Sequence, residues 1–294
     1  MAFNKAVFQT RALTALVFVA VMLTGLLWTF PLFLLLFGII AGGCWYEFVK
    51  IISLIIKAPS KKIVAAFLVI CGLILVLTGA VDYFSQHFGL GGFGWVSWMI
   101  LISWLVLPLL SLFIISGRYK NLHGHKYLFL SGFVYLSVPF ALLMNLRLFD
   151  VSGNLLNVPI GKIVVCGMIF SIWINDTMAY LVGSFLGRTQ LSAISPKKTW
   201  EGTIGGIILC IITISLAGYF IPVATHIAWP HWIAISAIAA VAGTFGDLLE
   251  SRLKRTAELK DSGSFMPGHG GFLDRFDSLI LATPFVWAYV NLML

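Results

Sequence analysis

Residues 251–278 read "SRLKRTAELKDSGSFMPGHGGFLDRFDS". Lys260, Asp261, His269, Asp274, Arg275 and Asp277 crowd into this stretch of a chain in which only 10% of residues are Asp, Glu, Lys or Arg. Just upstream, in "TFGDLLESRLKRT", Asp247, Glu250, Ser251 and Lys254 stand at i, i+3, i+4 and i+7 and share one helix face. Carboxylates with no His/Cys cluster nearby are hard oxygen ligands and suit Mg2+ rather than zinc. Asp274 and Asp277 lie on one side if a helix has begun there, and Asp247 joins them if the two helices are neighbours. Gly263, Pro267, Gly268, Gly270 and Gly271 interrupt the helix and let backbone N–H groups approach an anion. Upstream again, "SPKKTWEG" offers Ser195, Lys197, Lys198 and Thr199, two cations and two hydroxyls suited to a polyphosphate. The chemistry these types fit is the handling of phosphate beside a divalent cation.

Each group also has a plainer reading. A Lys or Arg at the end of a span marks orientation or touches a lipid headgroup. Paired glycines make a turn, and a lone His269 is an ordinary loop histidine. Asp274, Arg275 and Asp277 can simply begin a helix, whose dipole favours acids. Asp247 and Asp176, the latter in "WINDTMAYLVGSFLG", resist such readings, because an acid inside an apolar span carries a desolvation cost. Gly183 and Gly187 fit close helix packing. The convergence of these residues on two connections, 184–203 and 251–277, favours a site over unrelated accidents.

The scaffold follows from composition. The chain has 294 residues, 60% of them hydrophobic, and a mean hydropathy of +1.00, which places it among integral membrane proteins. A membrane-spanning helix needs about 20 apolar residues. That rule predicts an all-α protein of about nine spans, at 12–29, 31–55, 63–81, 95–115, 127–148, 160–183, 204–222, 231–250 and 278–293. Cys44, Cys71, Cys166 and Cys210 fall in apolar segments and read as small buried hydrophobes. Lys5, Arg11 and the apolar run after them read as a retained first span rather than a cleaved leader. With a cytoplasmic amino terminus, 17 of the 19 basic residues lie on inner connections, and only Arg147 and Lys162 fall outside. The carboxyl terminus is then extracytoplasmic, and Trp28, Trp95, Trp98, Trp229 and Trp232 form an outer aromatic belt. The chain reads as one polytopic domain: residues 1–150 supply spans of unassigned role, and 160–294 carry the site.

Segment 251–278 closely resembles the signature of the phosphatidate cytidylyltransferases, or CDP-diacylglycerol synthases: Ser-x-apolar-Lys-Arg, four residues, Lys-Asp, a spacer, then His-Gly-Gly-apolar-x-Asp-Arg-apolar-Asp. Ser251, Lys254, Arg255, Lys260, Asp261, His269, Gly270, Gly271, Asp274, Arg275 and Asp277 match it. "SPKKTWEG" and "NDTMAYLVGSFLG" are also similar to family segments, so the resemblance covers residues 175–278. It implies an integral membrane enzyme of phospholipid biosynthesis that joins CTP to phosphatidate and releases pyrophosphate. It further implies a Mg2+ site on Asp247, Asp274 and Asp277, a monovalent cation such as K+ beside it, and a homodimer. The charge pattern turns that site toward the cytoplasm, and the compactness of the chain points to a bacterial inner membrane.

On that reading Asp247, Asp274 and Asp277 hold the metal, with Asp261 a weaker candidate. Lys260 joins them as a catalytic residue, and Lys197, Lys198, Lys254, Arg255 and Arg275 contact phosphates. Ser195, Thr199, Ser251, Gly270 and Gly271 complete the substrate contacts, and His269 orients a phosphate. The competing expectations are a cation-coupled transporter using Asp176 and Asp247, and a cytidylyltransferase for a different anionic lipid.

Overall fold

The computed structural model describes residues 5–57, 62–88, 102–113, 127–150, 159–265 and 270–294. Helix α1 (Lys5–Leu27) is followed at once by α2 (Phe30–Ile55). The break falls where Thr29 takes an extended conformation and Pro31 enters the first turn, a position that needs no backbone N–H. Then come α3 (Lys62–Leu77), α4 (Val81–Phe88), α5 (Ile102–Phe113), and α6 (Tyr127–Gly132), which continues through a π turn into α7 (Val138–Leu148). Pro139 begins α7 and cannot donate a backbone hydrogen bond, which accounts for the altered winding just before it. The remaining elements are α8 (Ile160–Leu186), strands β1 (Gln190–Ser192) and β2 (Ser195–Thr199), α9 (Trp200–Phe220), α10 (Trp229–Thr256) and α11 (Leu273–Met293).

Among the described residues, seven helical spans are long and apolar enough to cross a membrane: α2, α3 with its following turn, α6–α7, α8, α9, α10 and α11. Thr14–Leu27 and Ile102–Phe113 are shorter apolar stretches within α1 and α5. The all-helical expectation therefore holds in its main line, while part of the 95–115 span lies outside the described residues. Several predicted boundaries move: α8 runs on to Leu186, α9 starts at Trp200, α10 continues to Thr256, and α11 starts at Leu273 rather than 278. Hydropathy windows stop at the first polar residues, but helices do not. Thr199 caps α9 by accepting from Gly202 N at 3.1 Å, so the helix begins ahead of its apolar run. The 184–203 connection is likewise no simple loop, since β1 and β2 pair antiparallel within it. Glu201 reaches back to accept from the Arg188 and Thr189 backbone, each at 3.1 Å, and ties the hairpin to α9.

Two helix groups meet along α7 and α11. In the first, Trp45 of α2 packs against Gly72 of α3 and Gly132 of α6, at distances that leave no room for a Cβ at either glycine. Its indole N–H donates to Ser137 Oγ at 3.1 Å, and Ser137 donates to Gly72 O at 3.0 Å. This pin satisfies the polar atoms where three apolar helices touch. In the second group, Gly202 and Gly206 bring α9 against the Ala179 backbone of α8, the close approach that small residues permit in membranes. Trp287 of α11 donates to Asn145 of α7 at 2.8 Å and joins the groups.

The two basic residues that break the charge pattern have a local task. Arg147 donates to Trp28 O at 3.5 Å, and Lys162 donates to Leu27 O, so both serve the carbonyls left open at the end of α1. Arg147 also lies 5.6 Å from the centre of the Phe33 ring. The aromatic belt needs one correction: Trp28 and Trp229 are exposed, but Trp232 is buried against Gly167 and Gly218, with its N–H donated to Ala224 O at 3.1 Å. Trp95 and Trp98 lie outside the described residues. Cys44, Cys71 and Cys210 are buried free thiols, and Cys166 is half-buried.

Ser137→Ala leaves the Trp45 N–H without its acceptor in an apolar environment. The expected cost is about 1–3 kcal/mol, read as a lower midpoint of thermal unfolding in detergent micelles.

Candidate functional site

α10 and α11 are packed neighbours. A Cβ at Gly246 would stand 2.5 Å from Asp277 O, so glycine sets the distance between the helices at the level of Asp247 and Asp277. Around this contact lies a cavity of about 830 Å3. Asp176 from α8, Lys197 and Lys198 from β2, Asp247 from α10, and Asp277 and Arg275 from α11 line it. Ser195, Thr199 and Asp274 also face it. Phe18 and Val19 of α1 and Trp173 and Tyr180 of α8 add apolar groups to the same lining. Val19 and Tyr180 are exposed on the outer surface of the helix bundle, so the cavity runs from charged groups to a surface made for lipid.

The acids divide into two sets. Asp247 and Asp277 point into the cavity with few commitments. Asp247 forms an ion pair with Lys198 through its buried Oδ2, an ionic contact without hydrogen-bond alignment. Asp277, 5% exposed, accepts from its neighbour Ser278 N at 2.6 Å. Asp274 is fully engaged. Its Oδ1 accepts from Lys254 Nζ at 2.6 Å, and its Oδ2 accepts from Gly271 N at 2.7 Å, Ser262 N at 2.9 Å and Ser262 Oγ at 3.0 Å. Lys254 is also 2.6 Å from Glu250 Oε2, an ionic contact without hydrogen-bond alignment, and so lies between two carboxylates.

The loop ahead of α11 closes on a second carboxylate, from the other end of the chain. Glu47 of α2, 5% exposed, accepts from Ser262 Oγ at 2.6 Å, Leu273 N at 2.8 Å and Phe272 N at 3.0 Å. It satisfies amides that the start of α11 leaves open. The glycines make room for these acids. A Cβ at Gly271 would sit 2.3 Å from Glu47 Oε1, one at Gly263 2.1 Å from it, and one at Gly270 2.6 Å from Asp274 Oδ2. Gly270 also has φ +91°, a conformation that favours glycine. The anions these glycines approach in the structure are thus the protein's own carboxylates.

The predicted site residues are therefore sorted. Ser195, Lys197, Lys198, Thr199, Asp247, Asp274, Arg275 and Asp277 share the cavity. Ser251 and Lys254 are buried, and Lys254 is committed to Glu250 and Asp274. Arg255 is exposed and donates to Leu259 O at 2.9 Å, while Lys260 and Asp261 are exposed and do not line the cavity. His269 lies outside the described residues. The metal trio is not a ready-made cage: among the described residues no group of three His, Cys, Asp or Glu side chains is set to hold an ion. Sequence reasoning also passed over Glu47, although the argument applied to Asp176, a carboxylate within an apolar span, points to it equally in "CWYEFVK".

A family model described as the cytidylyltransferase family matches residues 9–293. A phosphatidate cytidylyltransferase of Synechocystis is 40% identical over 142 residues, covering 47% of this chain and 46% of the relative. One of Bacillus subtilis is 46% identical over 118 residues, covering 40% of this chain and 43% of the relative. The chloroplastic phosphatidate cytidylyltransferase 4 of Arabidopsis thaliana is 46% identical over 122 residues, 40% of this chain and 29% of the relative. The chain thus spans less than half the length of each of these relatives.

Glu47→Ala leaves the Phe272 and Leu273 amides without their acceptor and the Ser262 hydroxyl with Asp274 alone. Hydrogen exchange at those two amides is expected to rise roughly tenfold or more, measured by mass spectrometry of the detergent-solubilised protein.

Proposed function

The chain belongs to the cytidylyltransferase family, and we propose that it is a CTP:phosphatidate cytidylyltransferase, making CDP-diacylglycerol and pyrophosphate. The observation that carries this reading is the two-faced cavity. A lipid substrate needs an apolar wall open to the bilayer, and a nucleotide triphosphate needs cations; Val19 and Tyr180 meet the first need, Lys197, Lys198 and Arg275 the second. Membership of a nucleotidyl-transferring family displaces the transporter reading. The relatives named above carry the activity in their names, which favours phosphatidate over another anionic lipid.

Both substrates are polyanions, so the protein must first lower their repulsion. Lys197 and Lys198 from the hairpin and Arg275 from α11 line the cavity together and would hold the triphosphate. An ionised oxygen of the lipid phosphate attacks the α-phosphorus of CTP in line with the departing pyrophosphate: one P–O bond forms as another breaks. The nucleophile is already charged, and no strong general base is required.

The donor set fits Mg2+: Asp247 and Asp277 both line the cavity, and the buried Oδ2 of Asp247 is held by Lys198 alone, without an aligned hydrogen bond, so a divalent cation could take the place of that ammonium. Mg2+ ordinarily takes one or two carboxylates and completes its shell with substrate phosphates and water, so a site of two aspartates that becomes whole only with CTP agrees with the lack of a preformed cage. When bound, the ion would neutralise charge on the leaving pyrophosphate. Asp247 and Asp277 would hold it, and Lys198, now paired with Asp247, would then be released to phosphate. Asp274 is the third acid of the signature, but its engaged oxygens make it a loop anchor in this reading. A monovalent cation, a homodimer, and a bacterial inner membrane with the site facing the cytoplasm complete the proposal.

Purified protein given labelled CTP, Mg2+ and different lipid phosphates should form product with phosphatidate. Product with another anionic lipid alone, or none, overturns the substrate assignment. Asp247→Asn and Asp277→Asn should each lower kcat by at least about a hundredfold with no change in amide exchange at Phe272 and Leu273. Asp274→Asn should lower kcat and raise that exchange together.

A further inference from the structure

A second cavity, of about 930 Å3, lies between α2 and α3 and shares no lining residue with the first. Its walls are mostly apolar, from Val49 and Leu54 on α2 to Ala65, Ala66, Val69 and Ile70 on α3. Three lysines line it: Lys50 and Lys57 on the α2 side, and Lys62 at the start of α3. Because α2 ends and α3 begins beside Lys57 and Lys62, the charged rim is at the helix ends and the apolar floor runs inward. From Lys62 to Ile70 it descends roughly 12 Å at a helical rise of about 1.5 Å per residue. Glu47, one turn before Lys50, reaches the start of α11, so the rim is at the same end of the bundle as the signature loop.

We propose that this groove holds one anionic phospholipid, its phosphate among Lys50, Lys57 and Lys62 and an acyl chain along Ala66, Val69 and Ile70. The inference is independent of the activity proposed above. Several observations support this occupant. The three lysines form no ion pair among the described residues, so their charge is left for an external anion. Lys57 has φ +52°, at the close of α2, where glycine is the usual residue. A lysine there carries a backbone cost that a charged side chain at the rim can justify. A soluble polyanion would have no use for the apolar floor, where Leu54 and Ile70 remain exposed. A second copy of this chain meeting this patch about a two-fold axis would set the same lysines against one another.

The test is native mass spectrometry of the full-length protein in a nonionic detergent, with dioleoylphosphatidylglycerol or dioleoylphosphatidylcholine added. The wild type should retain the anionic lipid roughly tenfold better than the zwitterionic one. In the combined Lys50→Gln, Lys57→Gln and Lys62→Gln protein that preference should fall to near parity. Ala66→Phe, which fills the floor from an exposed position, should reduce retention of phosphatidylglycerol while all three lysines remain. Folding of each variant is checked by its unfolding midpoint, and a variant that fails this check is replaced by Lys57→Gln alone, which should lower the preference severalfold. The proposal is overturned if phosphatidylglycerol retention is unchanged by these substitutions. It is equally overturned if inorganic pyrophosphate displaces the lipid from the wild type, or if the wild type is a dimer that the lysine substitutions dissociate.

Discussion

A carboxylate that enters an apolar helix bundle must find donors there, and the fold of the signature loop is the consequence for two of them. Glu47 and Asp274 accept, between them, from the backbone of Ser262, Gly271, Phe272 and Leu273, and both meet the single hydroxyl of Ser262. Ser262 has one proton to give and two acids within reach, so the backbone N–H groups supply most of the satisfaction. Side chains at Gly263, Gly270 or Gly271 would occupy space the carboxylate oxygens already fill. Loop and acids therefore specify each other: the glycines admit the charges, and the charges fix the course of a segment with little secondary structure of its own.

This arrangement sets where the first residues of α11 begin, and thereby where Arg275 and Asp277 point. Lys254 extends the same logic into α10. Placed between Glu250, which is wholly buried, and Asp274, it offsets negative charge that neither acid could carry alone at that depth. The result is a set of acids held by Lys254 and by backbone amides at the edge of a cavity in which Asp247 and Asp277 have fewer partners. Charges with firm partners hold the frame, and charges with weak ones face the space where substrates fit. Such a division allows a site to exchange partners without the surrounding structure relaxing.

Much of this could be read from residue order. Long apolar runs specify spans because the backbone must satisfy itself in lipid, and of residues 251–278 Lys254, Gly270, Gly271 and Asp274 do come together where α10 meets α11, while Lys260 and Asp261 stay exposed. Helix limits were less legible, since a polar cap such as Thr199 lets a helix outrun its apolar stretch. The hairpin of β1 and β2 was hidden because its strands are three and five residues long and lack a sustained alternation. The partners of Glu47, though not the residue itself, were hidden for a different reason. Glu47 is 225 positions from Phe272, and no local pattern announces a hydrogen bond over that separation. The role of Asp274 was obscured likewise, because spacing shows that two acids share a helix face but not which of them already has its donors.

That last distinction bears on how signature motifs are interpreted. Asp247, Asp274 and Asp277 look alike in sequence, and loss of activity on replacing any one would ordinarily be assigned to a metal. The geometry separates them. Removing Asp274 withdraws the acceptor from Gly271, Ser262 and Lys254 at once, and frees Lys254 beside Glu250. The damage then propagates through the start of α11 to Asp277. Removing Asp247 disturbs a single ion pair with Lys198. Equal losses of activity would conceal these unequal physical causes, and only the behaviour of the loop itself tells an acid that shapes the site from one that acts within it.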